Sequence, residues 1–313
     1  MTTATAVPRT RDELEGDEAL ETLRDCGRRR LVIDSIDRFR AADAFSHSRA
    51  LAFQLTLTLL PALIAVVGLA AALEIESFTR AVQDAVDTLA PGAAGDLLTS
   101  ALRQGASGAR EETGETALGA GAIAAGLAGA TAMAQVERGA NRIYGTEVDR
   151  PFVRKYLVAT GLALTAGVLA LLSIVVLVAG SAVRDALGAG EGFDSVWSVL
   201  RWPLGAFLVV TSVSLLFEWA PKRPQPEASW LAFGAIVSSV LWIAFMGLLA
   251  VYVDATANFG ATYGPLAGTI GVLLWSFLSS VALFAGLAVA AQLEAVRAGV
   301  VATRVDRDEN VAA

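Results

Sequence analysis

The residue types that most often do chemistry are sparse in this chain. His47 is the only histidine and Cys26 the only cysteine among 313 residues. A zinc hydrolase normally takes several histidine or cysteine ligands, and no HExxH, GxSxG, Walker A or paired-cysteine pattern occurs. A single cysteine also excludes an internal disulfide. We therefore assign no catalytic, cofactor-binding or metal-binding residue and no ATPase, and we interpret His47 as a polar residue at the mouth of a membrane span.

Composition indicates a membrane protein. Hydrophobic residues make up 55% of the chain, charged residues only 18%, and the mean hydropathy is +0.56. A helix over residues 51–73 would rise about 34 Å, enough for a hydrocarbon core of roughly 30 Å. A leader of 50 residues and an apolar run of this length exclude a cleaved signal peptide. The apolar runs predict an all-α bundle of six transmembrane spans, at 51–73, 117–136, 156–183, 202–217, 228–253 and 265–293.

The distribution of basic residues predicts the orientation of the bundle. Lysine and arginine resist translocation, whereas acidic residues have little effect. Of the 24 basic residues, 19 fall in the two termini and in the loops after spans two and four. Both termini are therefore expected to be cytoplasmic.

Residues 28–45 predict an interfacial helix on the cytoplasmic side. Three arginines begin it, and Val32, Ile36 and Phe39 then share a face, with Arg38 elsewhere. This pattern is typical of a helix that touches anionic lipid, and membrane lipids are the expected partners. An amphipathic helix packed on the protein's own cytoplasmic surface explains the pattern equally well.

The remaining segments outside the spans have different patterns. Between spans one and two, apolar residues at helical spacing on either side of Pro91-Gly92 predict an external amphipathic helical hairpin. The division of the chain is then an acidic tail over 1–27, expected to be largely disordered, a membrane domain over 28–297, and a cytoplasmic tail over 298–313.

Span two is built mostly of alanine and glycine. Its four-residue ladder of Ala122, Gly126, Ala130 and Ala134 allows close approach of neighbouring helices, which predicts a central position in the bundle. Alanine is abundant throughout the chain, so composition alone is a competing explanation. In span one, Pro61 removes a backbone hydrogen bond and predicts a kink. Most polar residues in the spans are expected to bond their own helical turn.

The segment DATANFGATYGP, residues 254–265, forces spans five and six into a hairpin. Its glycines, including Gly264, and its proline suit a tight turn. Turn formation does not account for Asn258 and Tyr263. We therefore hypothesise that these two side chains line the external mouth of a central path to which Gln54 and the Pro61 kink contribute deeper polar groups. Turn stabilisation is the alternative role.

Three groups of residues resemble the YihY/virulence factor BrkB family, some of whose members were labelled ribonuclease BN. They are Leu51-Ala52-Phe53 with Leu59-Leu60-Pro61, then Asn141-Arg142-Ile143-Tyr144-Gly145 with Arg150-Pro151-Phe152, then Tyr263-Gly264 with Leu266-Ala267 and Leu274-Trp275. The resemblance covers roughly residues 30–297. It implies a six-helix inner-membrane protein with a suspected transporter-like role, and it marks Asn141, Arg142 and Tyr144 as motif residues.

The chain also departs from the family pattern. Members often carry a Gly-Ala-Glu-Leu-Asn run near the end of the last span, and counting from Trp275 places its acidic and amide positions on Ala288 and Ala290. Many members also have tyrosine where this chain has Gln54. A mechanism that uses the carboxylate of that run is therefore not expected here.

Two functions remain open at the level of sequence. A transporter-like protein that handles a small solute or a lipid suits six spans, a kinked first helix and a glycine-rich second one. A non-transporting envelope scaffold or partner-binding subunit is the alternative, favoured by the absence of charge in the middle of the spans. Ribonuclease activity is not expected, because metal ligands and a basic groove are not visible and no nucleic-acid partner is predicted. The oligomeric state is left open.

Overall fold

The computed structural model describes residues 4–8, 14–72, 95–96, 99–100, 114–178, 192–255 and 266–300. Within them the chain forms eight helices: α1 (Gly16–Cys26), α2 (Arg28–Ala41), α3 (Ala44–Ala72), α4 (Gly114–Ile143), α5 (Phe152–Val178), α6 (Gly192–Trp219), α7 (Ala228–Ala255) and α8 (Ala267–Arg297). The predicted all-helical fold is confirmed for this part of the chain. The predicted external hairpin between spans one and two falls almost entirely outside it.

Among the described residues, four helices are long and apolar enough to cross a membrane. They contain the segments Phe152–Ser173, Ser195–Trp219, Ala228–Val253 and Ala267–Arg297. On the first three, only a minority of the side chains are buried in the bundle, and the large exposed side chains are aliphatic or aromatic. Such surfaces are stable against lipid tails rather than against water. The chain is therefore a multi-pass membrane protein.

The first two predicted spans coincide with helices α3 and α4. These helices are 29 and 30 residues long, and they pack on each other more extensively than any other pair among the described helices. Pro61 lies inside α3, as the sequence predicts. That α3 and α4 also cross the membrane stays a prediction.

Helix α8 is the structural axis of the bundle. It contacts α7 and α3 extensively and also packs on α1, α2 and α4. More of it is buried than of the other three candidate spans. Span two was predicted to hold the central position, but α4 makes its main contacts with α3 and α5. The centre is set by the 31-residue α8, whose inward face is rich in alanine, glycine and serine.

Close helix packing depends on glycines other than those of the span-two ladder. A Cβ atom on Gly286 of α8 would overlap the Gly234 carbonyl and the Ser238 hydroxyl of α7. A Cβ atom on Gly234 would lie 2.7 Å from the Gly286 carbonyl oxygen. In the ladder, Ala130 and Ala134 are buried, but Ala122 is exposed and a Cβ atom on Gly126 would meet no described atom within 4 Å. The prediction that Gly126 brings backbones together is therefore wrong.

Part of the acidic N-terminal tail is ordered, in contrast to the prediction for residues 1–27. Helix α1 begins where the Glu15 backbone donates to Glu18 Oε2 at 3.2 Å, and Ala19 of the helix is completely buried. Gly16 packs directly on the Ser229 carbonyl of α7, and Arg297 of α8 pairs with Glu18 at 3.0 Å. Local charge and composition predicted disorder, but these tertiary contacts favour the helix.

Helix α2 covers residues 28–41 of the segment 28–45, and its faces are arranged differently from the prediction. Phe39 is buried, whereas Val32 and Ile36 are 55% and 51% exposed. The inward face instead carries Leu31, Ser35 and Arg38, and Arg38 has no exposed surface. The helix therefore packs on the protein through a partly polar face and turns aliphatic residues outward.

We expect Gly286→Ala to destabilise the bundle by about 1–3 kcal/mol, because overpacking a tight contact forces the two backbones apart. Gly126→Ala is the matched control, since it removes a helical glycine without a clash and should be neutral or stabilising by up to about 1 kcal/mol. Thermal unfolding of both variants in the same detergent measures the difference. Equal melting temperatures would show that the α7–α8 contact is not tight.

Candidate functional site: a buried polar end of the helical bundle

One end of the bundle holds a concentration of buried charged and polar side chains, which we call the polar end. It is formed by α2, the last turns of α4, the first turn of α5, the loops after α4 and α6, and the last turns of α8. Its buried members, each at most 9% exposed, are Asp34, Arg38, Glu137, Asn141, Lys155, Gln292 and Glu294. Buried charge is costly unless it is paired and hydrogen-bonded, so the partners of these groups define the site.

The first set of contacts joins α2 to α8. Arg38 Nε donates to Gln292 Oε1 at 2.8 Å, and both side chains are fully buried. Arg38 Nη1 also donates to the carbonyl oxygens of Thr5 and Ile143, each at 3.0 Å. Burial lowers the pKa of the Arg38 guanidinium to about 10, so it remains charged at neutral pH.

The second set joins the loop after α6 to α8. Arg223 Nη2 pairs with Glu294 Oε1 at 2.5 Å, and the two side chains are 5% and 0% exposed. The Arg223 guanidinium also lies over the ring of Tyr144, 4.7 Å from its centroid. Tyr144 is 1% exposed, and burial raises the pKa of its hydroxyl above the usual range, so it stays neutral. We call Arg38, Tyr144, Arg223, Gln292 and Glu294 the arginine cluster.

The motif residue Asn141 organises the neighbouring loops. Its amide nitrogen donates to Asp149 Oδ1 at 2.9 Å, and its amide oxygen accepts the Lys222 backbone N–H at 2.7 Å. Lys155 Nζ pairs with Asp149 Oδ2 at 2.9 Å. Burial acts to raise the pKa of Asp149, but the hydrogen bonds from Asn141 and Lys155 outweigh it and leave the pKa lowered. The carboxylate is therefore charged at neutral pH.

Arg150, which is also in the family motif, binds carbonyl groups at the C-terminal end of α6. Its guanidinium donates to the carbonyl oxygens of Trp219, Ala220 and Pro221 at 3.1, 2.7 and 2.8 Å. These contacts satisfy carbonyls that the end of a helix leaves unpaired, and the cation suits the negative end of the helix dipole. Glu137 of α4 forms an ion pair with the same guanidinium, with 3.0 Å between Arg150 Nη1 and Glu137 Oε2. The motif thus ties α4 to α6.

The sequence-predicted candidates separate into three groups. Asn141, Arg142 and Tyr144 all lie at the polar end, where Arg142 Nη1 donates to the carbonyl oxygens of Thr146 and Glu147. Gln54 and Pro61 lie on α3. Asn258, Tyr263 and Gly264 lie outside the described residues. The structure therefore brings the three motif residues together and leaves the proposed external mouth untested.

A row of polar contacts lies along α3, starting near the polar end and continuing toward the middle of the bundle. His47 Nδ1 lies 3.1 Å from Gln135 Nε2, and burial lowers the pKa of the His47 ring, which favours its neutral form. One to two turns further, Thr131 Oγ1 donates to Gln54 Oε1 at 3.0 Å. Thr56 Oγ1 of α3 then contacts Ser276 Oγ of α8 at 3.3 Å. We call these three pairs the polar row.

Sequence reasoning missed Gln292 and Glu294. The two positions to which it assigned the family run, Ala288 and Ala290, are buried alanines, and Gln292 and Glu294 follow them on α8 with no exposed surface. The alternation of polar residues around Leu293 was the available signal.

The described residues contain no group of three or more histidine, cysteine, aspartate or glutamate side chains able to hold a metal ion. The carboxylates at the polar end are directed at cations of the chain itself, namely Arg223, Arg150 and Lys155. Their chemistry in this structure is therefore charge pairing.

The fold and the polar end together define a multi-pass helical membrane protein whose loops are held by buried ion pairs. The sequence profile of the family described as virulence factor BrkB matches residues 35–310, and the chain belongs to this family. It is 28% identical over 253 residues to the ribonuclease-like protein YfkH of Bacillus subtilis, covering 80% of this chain and 90% of YfkH.

Two further relatives are UPF0761 membrane proteins. The protein of Rhodospirillum rubrum is 28% identical over 204 residues, which cover 62% of this chain and 44% of the relative. That of Chromobacterium violaceum is 30% identical over 206 residues, which cover 64% and 46%. The chain thus spans less than half the length of each. No solved structure matches the chain.

We expect Arg223→Gln and Glu294→Gln each to lower the free energy of unfolding by about 3–5 kcal/mol, because each leaves an unpaired charge in a buried site. Arg297→Gln is the control, since Arg297 pairs with Glu18 at a similar 3.0 Å but with side chains 40% and 31% exposed. Its loss should cost about 1 kcal/mol or less. Denaturant titration in detergent measures all three, and a similar small loss in each would contradict the structural role of the buried pair.

Proposed function

We propose that this protein is a transporter-like protein of a bacterial inner membrane that moves a small solute or a lipid. In this proposal it has six spans, and both termini lie in the cytoplasm. The observation that carries the proposal is the polar row. It places three hydrogen-bonded pairs at the junction of α3, α4 and α8, leading from the polar end toward the middle of the bundle. In a hydrocarbon environment, polar side chains that gather on one inward seam are typical of a path for a polar group.

The contacts of the polar end support six crossings. The described parts of the four segments that carry 19 of the 24 basic residues meet there. Arg38 from the N-terminal segment bonds the Ile143 carbonyl and Gln292 of α8, and Arg223 from the loop after α6 bonds Glu294. The chain thus returns to the same end after each pair of long helices. Because basic segments stay in the cytoplasm, this end is the cytoplasmic one in our proposal.

The outward aliphatic residues of α2 support an interfacial position for that helix. Val32, Ile33 and Ile36 are about half exposed, while Arg28, Arg29 and Arg30 precede them at the level of the polar end. Aliphatic side chains directed into the headgroup boundary and arginines directed at anionic lipid would stabilise this arrangement. Membrane lipid is therefore the partner that we propose for α2.

A lipid substrate is favoured by one further feature. An almost wholly apolar groove of about 320 Å³ lies between α5 and α6, lined by Val158, Gly161, Leu162, Thr165, Leu215 and Trp219. An apolar groove of this size suits an acyl chain.

The ribonuclease-like name of YfkH is not carried over to this chain. In an RNA-binding enzyme, arginines form an open basic surface that faces the phosphates. Here Arg38, Arg150 and Arg223 are directed inward onto carboxylates and backbone carbonyls. Their arrangement supports a structural role at the end of a membrane bundle.

We expect reporters of periplasmic and cytoplasmic location fused after Ala313 to give a cytoplasmic signal, and the same reporters inserted within residues 105–116 to give a periplasmic one. The positive-inside distribution places these two points on opposite sides. Activity of the reporter pair at both points measures the topology. The same location for both would contradict six spans.

We expect cysteines placed in the polar row to react with a membrane-impermeant thiol reagent in intact membranes. In a Cys26→Ser background, single cysteines replace Gln54, Thr131 or Ser276. Leu164, which is 63% exposed on the outward face of α5, supplies the control, because lipid excludes the reagent there. Labelling of row positions but not of Leu164→Cys supports a hydrated path.

Failure of all three row cysteines to react would overturn the path. The hydrogen bonds of the polar row would then be dry contacts that hold α3, α4 and α8 together, as interhelical hydrogen bonds often do. That result would favour the non-transporting scaffold.

A further inference from the structure

Residues 4–8 lie in a groove at the polar end in an extended conformation. The Ala4 backbone N–H donates to the Arg142 carbonyl and the Val7 N–H to the Tyr144 carbonyl, each at 3.2 Å. The segment is thus hydrogen-bonded through its main chain to two motif residues at the C-terminal end of α4. Main-chain hydrogen bonds of this kind hold a peptide segment with little regard to its side chains.

Two arginines of the arginine cluster bind the other side of the segment's backbone. Arg38 Nη1 donates to the Thr5 carbonyl at 3.0 Å and Arg223 Nη1 to the Val7 carbonyl at 3.3 Å. Each belongs to a different element, and each is fixed by its own partner on α8. The groove therefore offers both acceptors and charged donors, and the two arginines are held by partners outside the segment.

Side-chain burial gives the groove a simple specificity. Ala4 and Val7 are 4% and 6% exposed, whereas Thr5, Ala6 and Pro8 are exposed. The first and fourth positions of the bound segment therefore fill small apolar sites, and the positions between them face outward.

Gly145 of the family motif makes room for the segment. A Cβ atom there would lie 2.6 Å from the Ala6 nitrogen and 2.7 Å from the Ala4 carbonyl oxygen. Its φ of +73° also favours glycine, but the same φ occurs at Gly299, where a Cβ atom would meet nothing within 4 Å. Of these two glycines, only Gly145 combines the positive φ with a close approach to residues 4–8.

The groove and its occupant differ in their relation to the family. Arg38, Tyr144, Gly145 and Arg223 lie within residues 35–310, which the family profile matches, whereas residues 4–8 lie before its start. The shared part of the chain thus supplies the binding surface, and the segment that fills it belongs to the part beyond the match.

We propose that this groove is a binding site for an extended peptide with small apolar residues at its first and fourth positions, and that residues 4–8 occupy it as an exchangeable ligand from the same chain. The site does not depend on transport. Release of the segment would expose the Arg38 and Arg223 guanidinium groups to another extended peptide at the same end of the bundle.

The test measures whether the segment leaves the groove. In the full chain with Cys26→Ser, a single cysteine replaces Val7 or Thr5, and the rate of maleimide labelling is followed in detergent. Val7→Cys should react about tenfold or more slowly than Thr5→Cys, because its reaction requires local opening. Adding Gly145→Ala should raise the Val7→Cys rate to nearly that of Thr5→Cys, while Gly299→Ala, with the same backbone strain, should leave it low.

Exchange is tested with a synthetic peptide of residues 2–9, TTATAVPR. An excess should accelerate labelling of Val7→Cys in the otherwise unaltered chain, and the same peptide with Val7→Asp should not. Thermal unfolding of the two glycine variants separates release of the segment from loss of the fold. The proposal is overturned if neither peptide changes the Val7→Cys rate, or if both change it equally, since the segment would then be a fixed part of the fold or the effect unspecific.

Discussion

The need to pair buried charge is the constraint on which the polar end depends. Glu294 and Arg38 have no exposed surface, and each would be unstable in an apolar interior without a partner. Arg223 and Gln292 supply those partners from a loop and from α8. Satisfying these four groups fixes the position of α2 and of the loop after α6 relative to the last helix. Such pairs need not add net stability, but removing one member leaves the other as a buried charge without its ion-pair partner.

Helix α8 connects the polar end to the rest of the bundle. Its final turns hold the arginine cluster, while its middle packs on α7 through Gly234 and Gly286 and reaches α3 through Ser276. Lipid tails provide no hydrophobic drive for helix association, so close packing of small residues and interhelical hydrogen bonds must hold the bundle. A movement of α8 would therefore be transmitted both to the polar row and to the loops at the polar end.

Helical content and the approximate positions of the long helices could be predicted from sequence, because apolar runs are local signals. The bounds were less accurate, since α6 begins at Gly192, ten residues before the predicted span at 202–217. Tertiary partners could not be predicted. Arg38 appeared to belong on a solvent-facing side of α2, and only the position of Gln292 on another helix, 254 residues later, shows why it faces inward. Gly126 and Gly286 look alike in sequence, and the neighbouring backbone alone distinguishes them. The segment that forms α1 was predicted to be disordered, because the contacts that stabilise it are made with α7 and α8, which lie far from it in the sequence.

The account's central claim is that Arg223 and Glu294 act as one unit that joins the loop after α6 to α8. A double-mutant cycle tests it most directly, with the free energy of unfolding measured for Arg223→Gln, Glu294→Gln and the double variant in one detergent. We expect the double variant to lose less than the sum of the single losses by at least about 1.5 kcal/mol, because the second substitution removes a charge already left unpaired. Single losses that add within about 0.5 kcal/mol would show that the two residues act independently, and would contradict the claim.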